Sequence, residues 1–225
     1  MFKPLILTAI LCLWAFQSSA NTAPMRSPQS PQVGLAPVVL IAPTQVRTQS
    51  LTISNPSTRA QRFQVEVLAW SQVDGKDRAE PTRDAMATPR IVEVPAGESR
   101  NINLVRLKGT GAAYFRLALR QLPDPDQTRN TLALITHHNL SVAFEDTTKT
   151  APQLEAKAVP GGYLLTNRGR SAARLTALGP QGGKPWQTGA LGWVLPGQSK
   201  FFQAPAQVSV LTVQVLDQAL TVQVQ

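Results

Sequence analysis

Cysteine is all but missing from this 225-residue chain, with Cys12 the only one. No second cysteine exists to close a disulfide within the chain, so whatever folds must be held by packing. Histidine is nearly as scarce: His137 and His138 stand alone and side by side in LALITHHNLSVAF. Neighbours on a strand point to opposite faces, so the two cannot converge on one metal ion, and no His-x-x-x-His spacing suggests a helical zinc site. No metal and no cofactor is expected. The Gly-x-Ser-x-Gly elbow of a serine hydrolase is absent, and Gly182 and Gly183 belong to no phosphate-cradling pattern, which leaves them a turn. Asp124 and Asp126 fall in the proline-rich LPDPDQ and read as a solvated turn rather than paired carboxylates. These absences exclude the common catalytic constellations and point to a protein that is not an enzyme.

Acidic residues are also few. Asp and Glu number 13 against 22 Lys and Arg, for a formal net charge of +9. A basic balance can serve nucleic acid, a membrane surface or an acidic protein partner. Here the basic residues are scattered over strand-like segments and turns, without a dense Lys/Arg run or a helix-turn-helix, ribonucleoprotein or finger pattern. Protein partners are therefore favoured over nucleic acid. Long apolar runs are missing too. Pro4 to Phe16, behind Met1 and Lys3, falls short of the roughly 20 residues that span a bilayer, but suits the core of a secretory signal, and Ser18, Ser19 and Ala20 offer small residues for cleavage. Residues 1–20 thus read as a signal peptide cut near Ala20, the alternative being a membrane anchor. Leu11 is bulky where a lipoprotein signal ahead of Cys12 would need a small residue. An exported protein with no stable membrane insertion is expected.

What is present is strand after strand. Residues 21–34 are rich in Pro, Ser and Gln and read as a flexible leader. From Val38 to Phe144 short segments alternate apolar and polar residues between Pro, Gly, Asn and Asp, the pattern of an antiparallel β-sandwich. Glu145 to Pro152, EDTTKTAP, loses that alternation and reads as a hinge. Beyond it LEAKAV, YLLTN, AARLTAL, LGWVLPGQSKFF, VSVLTVQVL and ALTVQVQ are separated by PGG, NRGR, GPQGG and PG turns. No segment sustains a helical period, so almost no helix is expected. The length suits two small all-β domains, 35–148 and 149–225. Trp70 is expected at the end of the first core, and Trp186 and Trp193 in the second. Tyr163, Trp186 and Trp193 could alternatively form an exposed aromatic platform for carbohydrate.

The stretch from Ile53 to Pro123 carries more. An Asn follows an apolar strand in ISN, WSQVDG makes a W-x-Q-x-x-G hairpin, EPT precedes TPRIVEVPAGES, and then come LVRL and YFRLALRQLP. Together these landmarks resemble the first domain of the PapD-like periplasmic chaperones of chaperone–usher pilus systems. Leu191 to Phe202, with WVLPGQS, resembles the second domain of the same family less strongly. The resemblance implies two immunoglobulin-like domains set at an angle with a cleft between them. It also implies a periplasmic protein that binds, folds and caps pilus or surface-coat subunits and delivers them to an outer-membrane usher. A secreted pilus or adhesin sandwich, or a carbohydrate-binding accessory module, is the alternative.

Within this frame Asn130 to Phe144 is informative. Its even positions, Leu132, Leu134, Thr136, His138, Leu140, Val142 and Phe144, are mostly large and apolar, while the odd ones are mostly small or polar. On pattern alone this is an ordinary core strand. By resemblance it is the last strand of the first domain, which lends side chains to a subunit lacking its own last strand. The donor set is then Leu132, Leu134, Thr136, Leu140 and Val142. The family commonly anchors the subunit's terminal carboxylate with two basic residues, which fall at Val39 and Ser141 here, both uncharged. Arg116 and Arg120, alternating with Phe115, Leu117 and Leu119 and so facing away from the core, are the candidate substitutes. A guanidinium can grip a carboxylate with paired hydrogen bonds.

Overall fold

Period-two alternation builds nearly everything that is seen. A computed structural model describes residues 33–123, 135–146 and 151–225, and every regular element among them is a strand. The first ten are β1 (Gly34–Ala36), β2 (Val39–Ala42), β3 (Thr48–Ser54), β4 (Gln61–Val73), β5 (Lys76–Pro81), β6 (Ala85–Thr88), β7 (Ile91–Val94), β8 (Ser99–Arg106), β9 (Ala113–Leu122) and β10 (His137–Phe144). They form two sheets. One runs β1-β3-β8-β6; the other runs β2-β10-β9-β4-β5, with β7 also on β4. The inward residues of β4, Phe63, Val65 and Val67, meet Phe115, Leu117 and Leu119 of β9 and Leu51, Ile53, Ile102 and Leu104 of the facing sheet in one continuous core.

The remaining strands are β11 (Leu154–Val159), β12 (Gly162–Asn167), β13 (Ala173–Pro180), β14 (Gln187–Val194), β15 (Ser199–Gln203), β16 (Val210–Val215) and β17 (Gln218–Gln223). They make a second sandwich from the sheets β11-β12-β15 and β14-β13-β16-β17. Tyr163, Leu165, Leu175, Leu178, Leu211 and Val213 fill its own core. The all-β class with two sandwiches agrees with the alternation in the sequence. The expected signal peptide, most of the leader, Asp124, Asp126, Leu132 and Leu134 lie outside the described residues.

A third buried cluster corrects the reading of two tryptophans. Trp70 and Trp193 do not close separate cores; they pack on each other with ring centroids 5.4 Å apart, together with Ala143, Ala172 and Leu195. Both sandwiches contribute to this cluster. β4 is long enough, at 13 residues, to extend past its own core and end in a two-residue turn. Asp74 and Gly75 both have positive φ there, at 52° and 75°, as a type I′ hairpin requires. A side chain at Gly75 would also be crowded: a Cβ would lie 3.1 Å from Leu164 and 3.2 Å from Phe201 of the second sandwich. The turn is further tied down by the Phe201 amide, which donates to the Gly75 carbonyl at 2.8 Å. Glu145, expected in a polar hinge, is instead buried, its Oε2 accepting from the Tyr114 hydroxyl at 2.6 Å and the Ala172 amide at 2.8 Å.

Candidate functional site

The outward face of the sheet holding β10 is where the candidate residues meet. Register places Val39, Ser141, Arg116 and Leu68 side by side across β2, β10, β9 and β4. The two positions at which the resemblance would place basic residues, Val39 and Ser141, are thus direct neighbours, and Arg116 is the next residue in the row. Its Nη1 donates to the Ser141 hydroxyl at 2.7 Å, and its guanidinium lies 3.6 Å from the centre of the Trp70 ring. A cation seated over an indole and bonded to a neighbouring hydroxyl is held in one orientation. Burial lowers its pKa, and the charge of Asp77 partly offsets that.

Asp77 enters this row from β5. Its Oδ1 accepts from Gln72 Nε2 at 2.8 Å and Trp70 Nε1 at 3.1 Å, while Oδ2 takes Lys200 Nζ at 2.6 Å and lies 3.8 Å from Arg116 Nη2. Burial works to raise the pKa of this carboxyl, but the bonds from Lys200 and Gln72, the charge of Lys200 and the Trp70 bond outweigh it and lower the value. Asp77 is therefore ionised at neutral pH. Lys200 belongs to β15 of the second sandwich, so the two cations that face this acid come from different sandwiches. Nothing in the sequence singled out Lys200. It lies in LGWVLPGQSKFF, where the only available signal was the resemblance of that segment to the family's second domain.

Gln72, next to this cluster on β4, ties the sandwiches together. Its Nε2 donates to the Trp193 carbonyl at 2.6 Å, its Oε1 accepts from the Leu195 amide at 2.9 Å, and its own amide donates to Gln198 Oε1. Gln72 is therefore fixed by hydrogen bonds to the second sandwich through both its side chain and its backbone.

The other sequence candidates are distributed differently. Arg120 is exposed and lies two rows further along the same face, opposite His137, with Ala118 separating it from Arg116. The structure does not bring it to the Asp77 cluster. Leu140 and Val142 are 5% and 0% exposed and belong to the first sandwich's own core with Phe144. A side chain packed there cannot also fill a pocket on another molecule, so these two drop out of the donor set. His138 follows them inward; burial and the neighbouring His137 lower its pKa. Thr136 precedes the strand and is half-buried. The aromatic platform is not formed: Tyr163 is fully buried and Trp193 nearly so, although Tyr163 and Trp186 do stack at 6.2 Å.

β10 also has an unequal edge. β9 pairs with it from His137 to Phe144, whereas β2 pairs with it only from Ser141 to Phe144. Among the described residues, the side of His137–Leu140 away from β9 has no strand partner. An unpaired stretch of edge is a template for another chain's strand.

Comparison with known proteins gives the same outline. The family model for the PapD N-terminal domain of pili and flagellar-assembly chaperones matches residues 32–145. No curated protein matches the chain in sequence. Among solved structures it is similar to a chain of the CsuC–CsuE chaperone–tip adhesion subunit pre-assembly complex from archaic Csu pili of Acinetobacter baumannii. There the TM-score is 0.70 at 16% identity, over 86% of this chain and 99% of that one. It is also similar to a chain of the Salmonella enterica SafA pilin–SafB chaperone complex, with TM-score 0.64, 18% identity and coverage of 82% and 89%. The E. coli chaperone DraB matches with TM-score 0.62, 16% identity and coverage of 85% and 93%. At such identities the likeness to these structures is one of fold.

Proposed function

The chain belongs to the family of pili and flagellar-assembly chaperones with a PapD N-terminal domain, and on that premise we propose that it is a periplasmic chaperone that caps pilus or surface-coat subunits by lending them a strand. In this reading residues 35–148 form the subunit-binding domain and 149–225 the second domain, after removal of the signal at 1–20. The observation that carries it is the edge of β10 at His137–Leu140, which has a strand partner on one side only among the described residues. A subunit lacking one strand exposes an apolar groove flanked by unpaired N–H and C=O groups, and an added strand satisfies both defects. Backbone pairing is indifferent to sequence, so register depends on the side chains that fill the groove. With Leu140 and Val142 occupied in the chaperone's own core, the lent residues are Leu132, Leu134 and Thr136, which carry the same alternation in the sequence.

The subunit's terminal carboxylate is held by Arg116, assisted by Lys200, in place of the missing basic residues at Val39 and Ser141. No nucleotide or other cofactor enters the cycle. Release occurs by exchange with the next subunit's extension at an outer-membrane usher. The test is co-expression with a secreted subunit encoded beside this chain's gene. Leu134→Asp would put a charge in a dry pocket at a cost of several kcal/mol and should abolish co-purification while the chaperone stays folded. Arg116→Ala removes one partner of a hydrogen-bonded charge pair, a loss of about 2 to 5 kcal/mol, and should weaken capture at least about tenfold. Arg120→Ala should do far less. Undiminished capture by a folded Leu134→Asp chaperone would refute strand donation at this site.

A further inference from the structure

One carboxylate already sits between the two cations of the cleft, and it belongs to the protein itself. Asp77 lies on β5, an edge strand whose every residue is exposed as a whole, so core packing does not dictate that its side chain turn toward the cleft. Even so, its carboxylate receives Trp70 Nε1, Gln72 Nε2 and Lys200 Nζ, and faces Arg116 Nη2 at 3.8 Å. The two cations are not used equally. Lys200 is committed to Asp77 at 2.6 Å, whereas 3.8 Å is too long for a hydrogen bond, so Arg116 is attracted to Asp77 without being bonded to it.

We infer that Asp77 is an internal stand-in for the client's terminal carboxylate: it holds the cation pair assembled in the empty cleft and opposes the carboxylate that replaces it. This rests on the reading of Arg116 as the anchor. An incoming carboxylate that pairs with Arg116 lies beside a like charge and competes for Lys200. Like charges brought together across an interface cost several kcal/mol, so Asp77 reduces the affinity that two unopposed cations would give. It has a way out, since its side chain keeps about a third of its surface in solvent and can turn outward as Lys200 changes partners. A cleft of this kind stays ordered between clients and releases them readily.

Asp77→Asn tests the idea, because the amide oxygen can still accept from Trp70 and Gln72 while the charge is gone. The probes are a short alternating valine–threonine peptide with a free C-terminal carboxylate and its C-terminally amidated twin. Binding is followed by tryptophan fluorescence, which Trp70 reports from beneath Arg116, on proteins shown to be folded by circular dichroism. Asp77→Ser serves as a second charge-free variant. The expected result is that both variants bind the free acid about tenfold more tightly than the wild type does, and the amide equally. Arg116→Ala should abolish the preference for the free acid. If that preference exists and depends on Arg116 but is unchanged or reduced in both Asp77 variants, the stand-in role is wrong and the anchor stands. If wild type and variants never distinguish acid from amide, the anchor itself is wrong and the stand-in role falls with it.

Discussion

The two sandwiches contain the same latch, built once at Asn55 and again at Asn167. In the first, the Asn55 amide donates to the Glu98 carbonyl at 2.9 Å and the Gly97 amide returns a bond to the Asn55 carbonyl at 2.8 Å. In the second, the Asn167 amide donates to the Gln198 carbonyl at 3.0 Å and the Gly197 amide to the Asn167 carbonyl at 2.7 Å. Both glycines have φ near 70°, a conformation that costs other residues energy. Both asparagine side chains are buried and donate to neighbouring carbonyls, Asn55 to Arg59 and Val94, Asn167 to Ser171 and Val194. The residues that follow are also alike: Glu98-Ser99-Arg100 in one copy, Gln198-Ser199-Lys200 in the other.

Their fates differ. Arg100 pairs with Glu98 of its own turn, both well exposed to solvent. Gln198 and Lys200 instead reach the first sandwich, at the Gln72 amide and at Asp77. One local structure therefore makes an exposed ion pair within its own turn in one place and a link between the two sandwiches in another. The difference lies in what the long β4–β5 hairpin brings alongside the second copy.

The largest expected effect is common to both copies. Asn55→Ala and Asn167→Ala each leave several buried backbone groups without a partner, at about 1 to 3 kcal/mol for each group. Each variant should lose about 3 kcal/mol or more in urea unfolding. A loss confined to one of them would break the equivalence of the latches. Next comes Gln72→Ala, which has no counterpart on the other copy. It orphans the buried Trp193 carbonyl and Leu195 amide and should cost about 2 kcal/mol, with a change in tryptophan fluorescence as the Trp70–Trp193 pair loosens.

The smallest effects sharpen the comparison most. Lys200→Ala should destabilise by about 1 kcal/mol, since the pair is only partly shielded from solvent, and Arg100→Ala by less than about 0.5 kcal/mol. The Lys200 effect should also depend on pH. Asp77 has a folded-state pKa below its unfolded value of about 3.9. Its pairing therefore stabilises the fold above that value and is lost as pH falls through the folded one. Thermal unfolding of the wild type and Lys200→Ala should accordingly converge in strong acid and separate at neutral pH. A constant difference across that range would mean that Lys200 acts through packing alone.

How much of this was legible in the chain varies with the element. The inward faces of β4, β9 and β10 could be read directly, because every second residue is large and apolar. The same rule could not say where the face of β10 stops serving its own core, so Leu140 and Val142 looked no different from Leu134. Arg116 could be picked out because it alternates against Phe115 and Leu117. Its neighbours could not, since register across β2, β10 and β9 is set by pairings between segments far apart in sequence. Trp70 and Trp193 looked like residues of two separate cores for the same reason: alternation marks a face as buried or exposed but not what covers it.

By itself the sequence determined the all-β class, the turns and the apolar faces, since strand periodicity and the conformations open to Gly, Asn and Pro are local properties. Its motifs also determined the family. Only the tertiary structure decided that Lys200 meets Asp77 and Arg116, that Gln72 joins the sandwiches, and that β2 pairs with β10 over Ser141–Phe144 alone. Each of these depends on the meeting of segments distant in sequence, which is set by the packing of whole sheets and hairpins and has no local signature.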